Sequence, residues 1–202
     1  MEKPLAYLRE YVEVLRPLLD EGEVHHRGRY FTTDASLQGS SRVPLLISAL
    51  GPVAFRLAGE IADGALPALA PIPYLLNTAA PAMRAGAVAA GRESPPVIAN
   101  VAVAFTEDRA SALRAGRQAL AFPSTLPTYR RMYMAAGFTE QEITTIADSF
   151  VEGLIVFGEE GKIKDRLLEL LSTEIDELIV SVVPVVDAGQ EEMRLARLIG
   201  RL

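Results

Sequence analysis

The chain has 202 residues, half of them hydrophobic, and its 20 lysines and arginines against 26 aspartates and glutamates give a formal net charge of −6. Such a balance lacks the basic face that nucleic acid or an anionic membrane requires, so neither is expected as the main partner. Cysteine is absent, which excludes disulfides, thiolate metal sites and a cysteine nucleophile, and the length accommodates one domain with a substantial core.

Met1 is followed by a charged amphipathic segment instead of a signal-like apolar run, and no apolar stretch reaches the roughly 20 residues that span a bilayer, so a cytoplasmic location is expected. Leu5, Leu8, Val12, Leu15 and Leu19 recur at helical spacing, with Arg9, Glu10, Glu13 and Arg16 on the other face. Val24–Thr32 reads as a small hairpin around Arg27-Gly28, and Thr33–Arg42 as a polar loop.

Val43–Ile47 is an almost unbroken apolar run, the pattern of a parallel strand covered on both faces. Ser48, Ala49 and Leu50 lead to Gly51-Pro52, where a helix starts: proline suits its first position and glycine the bend before it. Phe55, Leu57, Ala58 and Ile61 give that helix an apolar face, and Asp63-Gly64 closes it before a short strand at Ala65–Pro67. In strand–helix–strand units of this kind ligands bind beyond the C-terminal ends of the strands, which is where Ser48–Pro52 lies. Its small side chains and free N–H groups suit a phosphate or a flat ring, although an ordinary tight turn has the same composition.

A loop at Ala68–Pro73 precedes an alanine-rich helix from about Tyr74 to Ala90, ended by Gly91. Val97–Phe105 is the longest strand candidate and apolar except for Asn100, which is either a locally satisfied core residue or a polar group aimed into a pocket. Thr106 is placed to cap a helix through Ala121, interrupted at Pro123–Pro127, and helices follow at Thr128–Ala136 and Glu140–Asp148. Thr139 with Glu142 forms a capping-box pattern. Gly153–Phe157, a helix at Glu159–Leu171, a strand at Glu177–Val183 and a terminal helix opened by Asp187 and Gln190 complete the chain. The alternation from Val43 onward indicates a parallel α/β sheet or part of a β/α barrel.

Other chemistry reads as structural. His25 and His26 are adjacent on a strand, so they point to opposite faces, and no spaced partner completes a metal site. Asp176 and Glu177 could serve acid–base chemistry but also fit the acidic punctuation before a strand. Tyr129, Arg130, Arg131 and Tyr133 form a basic aromatic cluster on a short helix, and no Walker-type phosphate loop occurs.

The stretch VPLLISALGPVAFRLAGEIADGALP closely resembles the fifth and sixth strand–helix units of the luciferase-like monooxygenase superfamily, in particular its coenzyme F420-dependent oxidoreductases. YLREYVEVLRPLLDEGEVHHRGRYF resembles the helix and hairpin before that unit, and FGEEGKIKDRLLELLSTEIDELIVSVV its last helix and strand. The resemblance implies an α/β fold, the C-terminal half of a (β/α)8 TIM-type barrel with a helical insertion, over residues 1–202 as a single domain. Residues 1–42 then supply helix and hairpin, 43–106 the βαβ units, 107–150 the insertion and 151–202 the final units.

It further implies a flavin- or deazaflavin-dependent oxidoreductase or monooxygenase acting on a small organic substrate, with F420 as first choice of cofactor and FMN as second. Ser48, Ala49, Leu50, Gly51 and Pro52 occupy the family's cofactor turn. The family's earlier strand–helix units, which carry its catalytic groups, have no counterpart before Leu5, so no catalytic residue is assigned and a catalytically silent oligomer of the same fold is the alternative. Ala68, Leu69 and Ala70 stand where the family's glucose-6-phosphate dehydrogenases place a lysine, which argues against a phosphosugar. A half barrel exposes strand edges and its inner face, so a homodimer or higher homo-oligomer is expected.

Overall fold

The apolar stripe of the first segment forms helix α1, Pro4–Asp20, in the computed structural model, which describes residues 3–202. The described residues group into two compact units, one built from the chain up to Ala65 together with Pro81–Pro95, the other from Leu66–Ala80 together with Pro96–Leu202.

In the first unit, strands β1 (Glu23–Arg27) and β2 (Thr32–Ser36) pair antiparallel, with Arg27 opposite Thr32 and Glu23 opposite Ser36. The second hairpin strand thus occupies residues expected to be loop. Only its two threonines favour a strand, and for the Asp34-Ala35-Ser36 half cross-strand partners compensate: Asp34 accepts from His25 Nδ1 at 2.9 Å and from Arg27 Nη2 at 2.5 Å. Glu10 also departs from its expected place on the solvent face. It is buried in α1, where its carboxylate accepts from the N–H groups of Arg29, Tyr30 and Phe31 and so fixes the hairpin turn to the helix. Burial pushes this carboxyl upward, but those N–H groups and His26 outweigh it and hold the group below the usual glutamate range.

Strand β3 covers only Leu46–Ser48 and pairs with β4, Gly64–Leu66. Two-sided burial was expected of this strand; only Ile47 is buried, while Leu46 and Ser48, which point to the opposite face, are exposed. Helix α2, Pro52–Ile61, connects them. It packs against helix α4, Ala80–Ala89, at two glycines: a Cβ on Gly59 would lie 1.9 Å from the Met83 carbonyl oxygen, and one on Gly86 2.0 Å from that of Arg56. The glycines let the two backbones touch.

In the second unit a short helix α3, Ile72–Tyr74, passes through a π-helical turn, Leu75–Ala79, within the stretch expected to be one regular helix. Strand β5, Ile98–Ala104, is central, flanked in parallel by β6 (Ile155–Phe157) and β7 (Glu177–Val182). Between β5 and β6 come α5 (Arg109–Ala121), α6 (Pro127–Ala135), α7 (Glu140–Thr145) and α8 (Asp148–Glu152). Asp108 caps α5 in place of Thr106, whose hydroxyl accepts from the Asp108 N–H. The capping box of Thr139 and Glu142 is formed, but Ile146 takes φ +47° and ends at Thr145 the helix expected to run to Asp148, where the separate α8 begins. Tyr133 and Phe150 centre the core of these helices, with rings 4.8 Å apart. Helices α9 (Glu160–Leu171) and α10 (Ala188–Ile199) follow β6 and β7. At the start of α10 Asp187 accepts from the Gln190 N–H, but the reciprocal group is Glu191, which accepts from Val185, Val186 and Asp187. No helix among the described residues is long and apolar enough to cross a membrane.

Candidate functional site

The β3–α2 turn is held from both sides by one carboxylate. Asp63, just beyond α2, accepts from the Leu45 N–H at 2.8 Å and from Arg16 at 2.5 Å, and its own N–H donates to the Leu45 carbonyl at 2.9 Å. Arg92 approaches its other oxygen at 3.5 Å. Burial raises the Asp63 carboxyl, and the Leu45 N–H, Arg16 and Arg92 together lower it further than burial raises it. The start of β3 and the end of α2 are therefore tied together, and the intervening turn projects from a fixed base.

Within the turn, Ala49 is 2% exposed, Leu50 and Gly51 are half-buried, and Ser48 and Pro52 are exposed. Gly51 is extended, at φ −103° and ψ 158°, and its carbonyl accepts from Ala54 and Phe55. Among the described residues no side chain caps α2, and no acidic residue occupies its first turn. A Cβ on Gly51 would meet nothing within 4 Å. The Ala54 and Phe55 N–H groups are thus taken up locally and Pro52 has none, so what this helix N-terminus offers an electron-rich ligand is the Val53 N–H, the helix dipole and the open space at Gly51.

The remaining motifs separate. His25 pairs with Asp34 and His26 with Glu10, and among the described residues no group of three or more His, Cys, Asp or Glu side chains converges on a metal position. Asp176 accepts from the Val97 N–H at 2.7 Å and ties the start of β7 to β5, while Glu177 is exposed. The Tyr-Arg cluster on α6 does not share a face: Tyr133 is fully buried, Arg130 binds the Ser124 carbonyl, Glu140 and Thr144, and Arg131 is exposed. Asn100 lines a cavity of about 440 Å³ in the second unit, together with residues of β6 and α9. No sequence signal marked that cavity except the lone polar residue in an apolar strand.

A family model described as luciferase-like monooxygenase matches residues 1–177. The chain is 26% identical over 221 residues to the 5,10-methylenetetrahydromethanopterin reductase of Methanopyrus kandleri, covering 98% of this chain and 62% of the relative. It is 35% identical over 115 residues to the F420-dependent glucose-6-phosphate dehydrogenase of Nakamurella multipartita, covering 54% of this chain and 34% of the relative. Among solved structures, an F420-dependent secondary alcohol dehydrogenase in complex with an F420-acetone adduct aligns with a TM-score of 0.72 at 21% identity, over 92% of this chain and 58% of that one. That likeness establishes the α/β fold. The chain spans less than two thirds of the length of each of these relatives.

Proposed function

The chain belongs to the luciferase-like monooxygenase family, and we propose that it serves a deazaflavin- or flavin-dependent oxidoreductase acting on a small organic substrate, with Ser48–Pro52 contributing to the cofactor site. F420 is the first choice of cofactor, because it stands in the names of the Nakamurella relative and of the alcohol dehydrogenase; FMN is the second.

The observation that carries this reading is the open α2 N-terminus, uncapped and with free space at Gly51. Residues here fit a flat, electron-rich group. Gly51 leaves room for close approach, the exposed Ser48 can donate a hydrogen bond, and Pro52 withholds no donor that the first turn could have used internally. Asp63 keeps the turn in register through Leu45. When bound, either cofactor supplies the hydride chemistry, and the residues of this chain supply binding and orientation.

Fluorescence titration of the purified chain with F420 and with FMN tests the assignment. Saturable binding of F420, tighter than that of FMN and weakened by Gly51→Val, is expected. Failure of both to bind below about millimolar would leave the catalytically silent alternative.

A homo-oligomer is part of the same proposal. β7 is an edge strand, and a cleft lined by Leu171, Leu178, Val180, Ile199 and Leu202, with Asp176 and Glu177 among them, runs beside it. A free edge of this kind favours pairing with a second copy. Light scattering at micromolar concentration should return more than the monomer mass of 21.8 kDa, and a strictly monomeric mass would count against pairing.

A further inference from the structure

We propose that the second unit carries a ligand site of its own: the cavity formed by β6, α9 and Ala70–Ile72 takes an uncharged, mostly apolar small molecule that presents a carbonyl or amide to Asn100. This site is built wholly from residues of the second unit and is independent of the cofactor reading at Ser48–Pro52.

Three observations converge. The first is size and surface. At about 440 Å³ the cavity lies in the range of small-molecule pockets, and Ile72, Val101, Leu154, Ile155, Phe157 and Leu170 give it mainly apolar walls. The second is an uncommitted polar group. Asn100 is the only polar residue of β5, and its side-chain amide has no hydrogen-bond partner among the described residues. Such an amide offers one acceptor and two donors, so a carbonyl or an amide on the ligand matches it.

The charge pattern then selects a neutral ligand. Arg166 is paired with Glu169 at 2.6 Å, and Glu152 accepts from Arg109 at 2.7 Å. That leaves Lys162, whose ammonium lies 5.2 Å from the centre of the Phe157 ring, and Asp165, one group of each sign. With no net charge on offer, an ion would enter without compensation for its lost hydration.

The third observation concerns the wall. Leu69, directly before Ala70, holds φ +52°, and the π-helical turn Leu75–Ala79 begins just after α3. A left-handed non-glycine residue and a π turn are each unfavourable and concentrate at functional sites. Here they bracket the segment that lines the cavity.

Nile red, a neutral carbonyl-bearing dye, is the probe. Saturable single-site binding with blue-shifted emission is expected, weakened at least tenfold by Leu154→Trp and by Ile72→Trp, which fill the cavity from two walls. Asn100→Leu should weaken it about five- to tenfold through loss of one hydrogen bond. Val186→Ser, at a 92% exposed position, should leave it unchanged. Circular dichroism identifies variants that fold, and hydrogen exchange of the unaltered chain supplies an arm free of substitutions: the dye should protect Ile155–Phe157. No saturable binding, equal binding by the folded filled variants, or protection confined to β7 and α10 would overturn the proposal.

Discussion

Replacing Gly59 by alanine tests the packing that positions the candidate cofactor turn. On an exposed helix this change stabilises by up to about 1 kcal/mol, since glycine is the poorer helix former. In α2 the new Cβ would lie 1.9 Å from the Met83 carbonyl oxygen and 2.8 Å from the Ala87 N, where real Cβ contacts essentially never fall below 3.0 Å. Both obstacles are backbone, so no side chain can turn aside, and α2 and α4 must part by about 1 Å. Overpacking of this kind costs about 1–3 kcal/mol, more than the propensity gain offsets. The expected net result is a loss of about 1–2 kcal/mol, or roughly 2–8 °C in Tm for a chain of this size. Gly86→Ala forces the same separation from the other helix, so the double variant should lose clearly less than the sum of the single ones. Thermal and denaturant unfolding followed by circular dichroism measure this. A Gly59→Ala chain as stable as the parent, or additive losses in the double variant, would refute the backbone-contact reasoning.

Asp63→Ala should cost about 1–3 kcal/mol by removing the acceptor of the Leu45 N–H and the partner of Arg16. Because the Asp63 carboxyl is lower in the folded chain than its ordinary value of 3.8, its contribution is complete above that value and is lost as pH falls through the lowered folded one; denaturant midpoints between pH 2 and 6 should show a slope that Asp63→Asn flattens. Tyr133→Phe should be neutral or stabilising by up to about 1 kcal/mol, since the hydroxyl it removes is buried without a hydrogen-bond partner among the described residues, and a clear loss of Tm would contradict this. Thr139→Ala should cost about 0.5–2 kcal/mol by opening the capping box of α7, read from the same unfolding curves.

Much of the architecture was legible where a local rule and the tertiary structure agree. The apolar run at Val97–Phe105 became the central strand, Thr139 and Glu142 closed their capping box, and Gly91 took the positive φ that ends a helix. What escaped the sequence depends on distant partners. Thr32–Ser36 is a strand because β1 pairs with its whole length, whereas only Thr32 and Thr33 favour one locally. Glu10 reads as a solvent-facing charge, yet it holds a run of backbone N–H groups that local periodicity cannot reveal, and Glu191 holds another. The π turn and the strained Leu69 left no mark either, since neither conformation has a residue signature in Pro67–Ala79. Of the candidate site, the turn at Ser48–Pro52 was readable from Gly-Pro after an apolar run; its anchoring by Asp63 through Leu45 and Arg16 was not.

Amide chemical-shift mapping of the isotope-labelled chain during an F420 titration tests the central claim most directly. The account predicts that the largest shifts fall on Ser48, Ala49, Leu50, Gly51 and Val53, with saturation at a single affinity. Saturable binding that leaves those amides unmoved would contradict it.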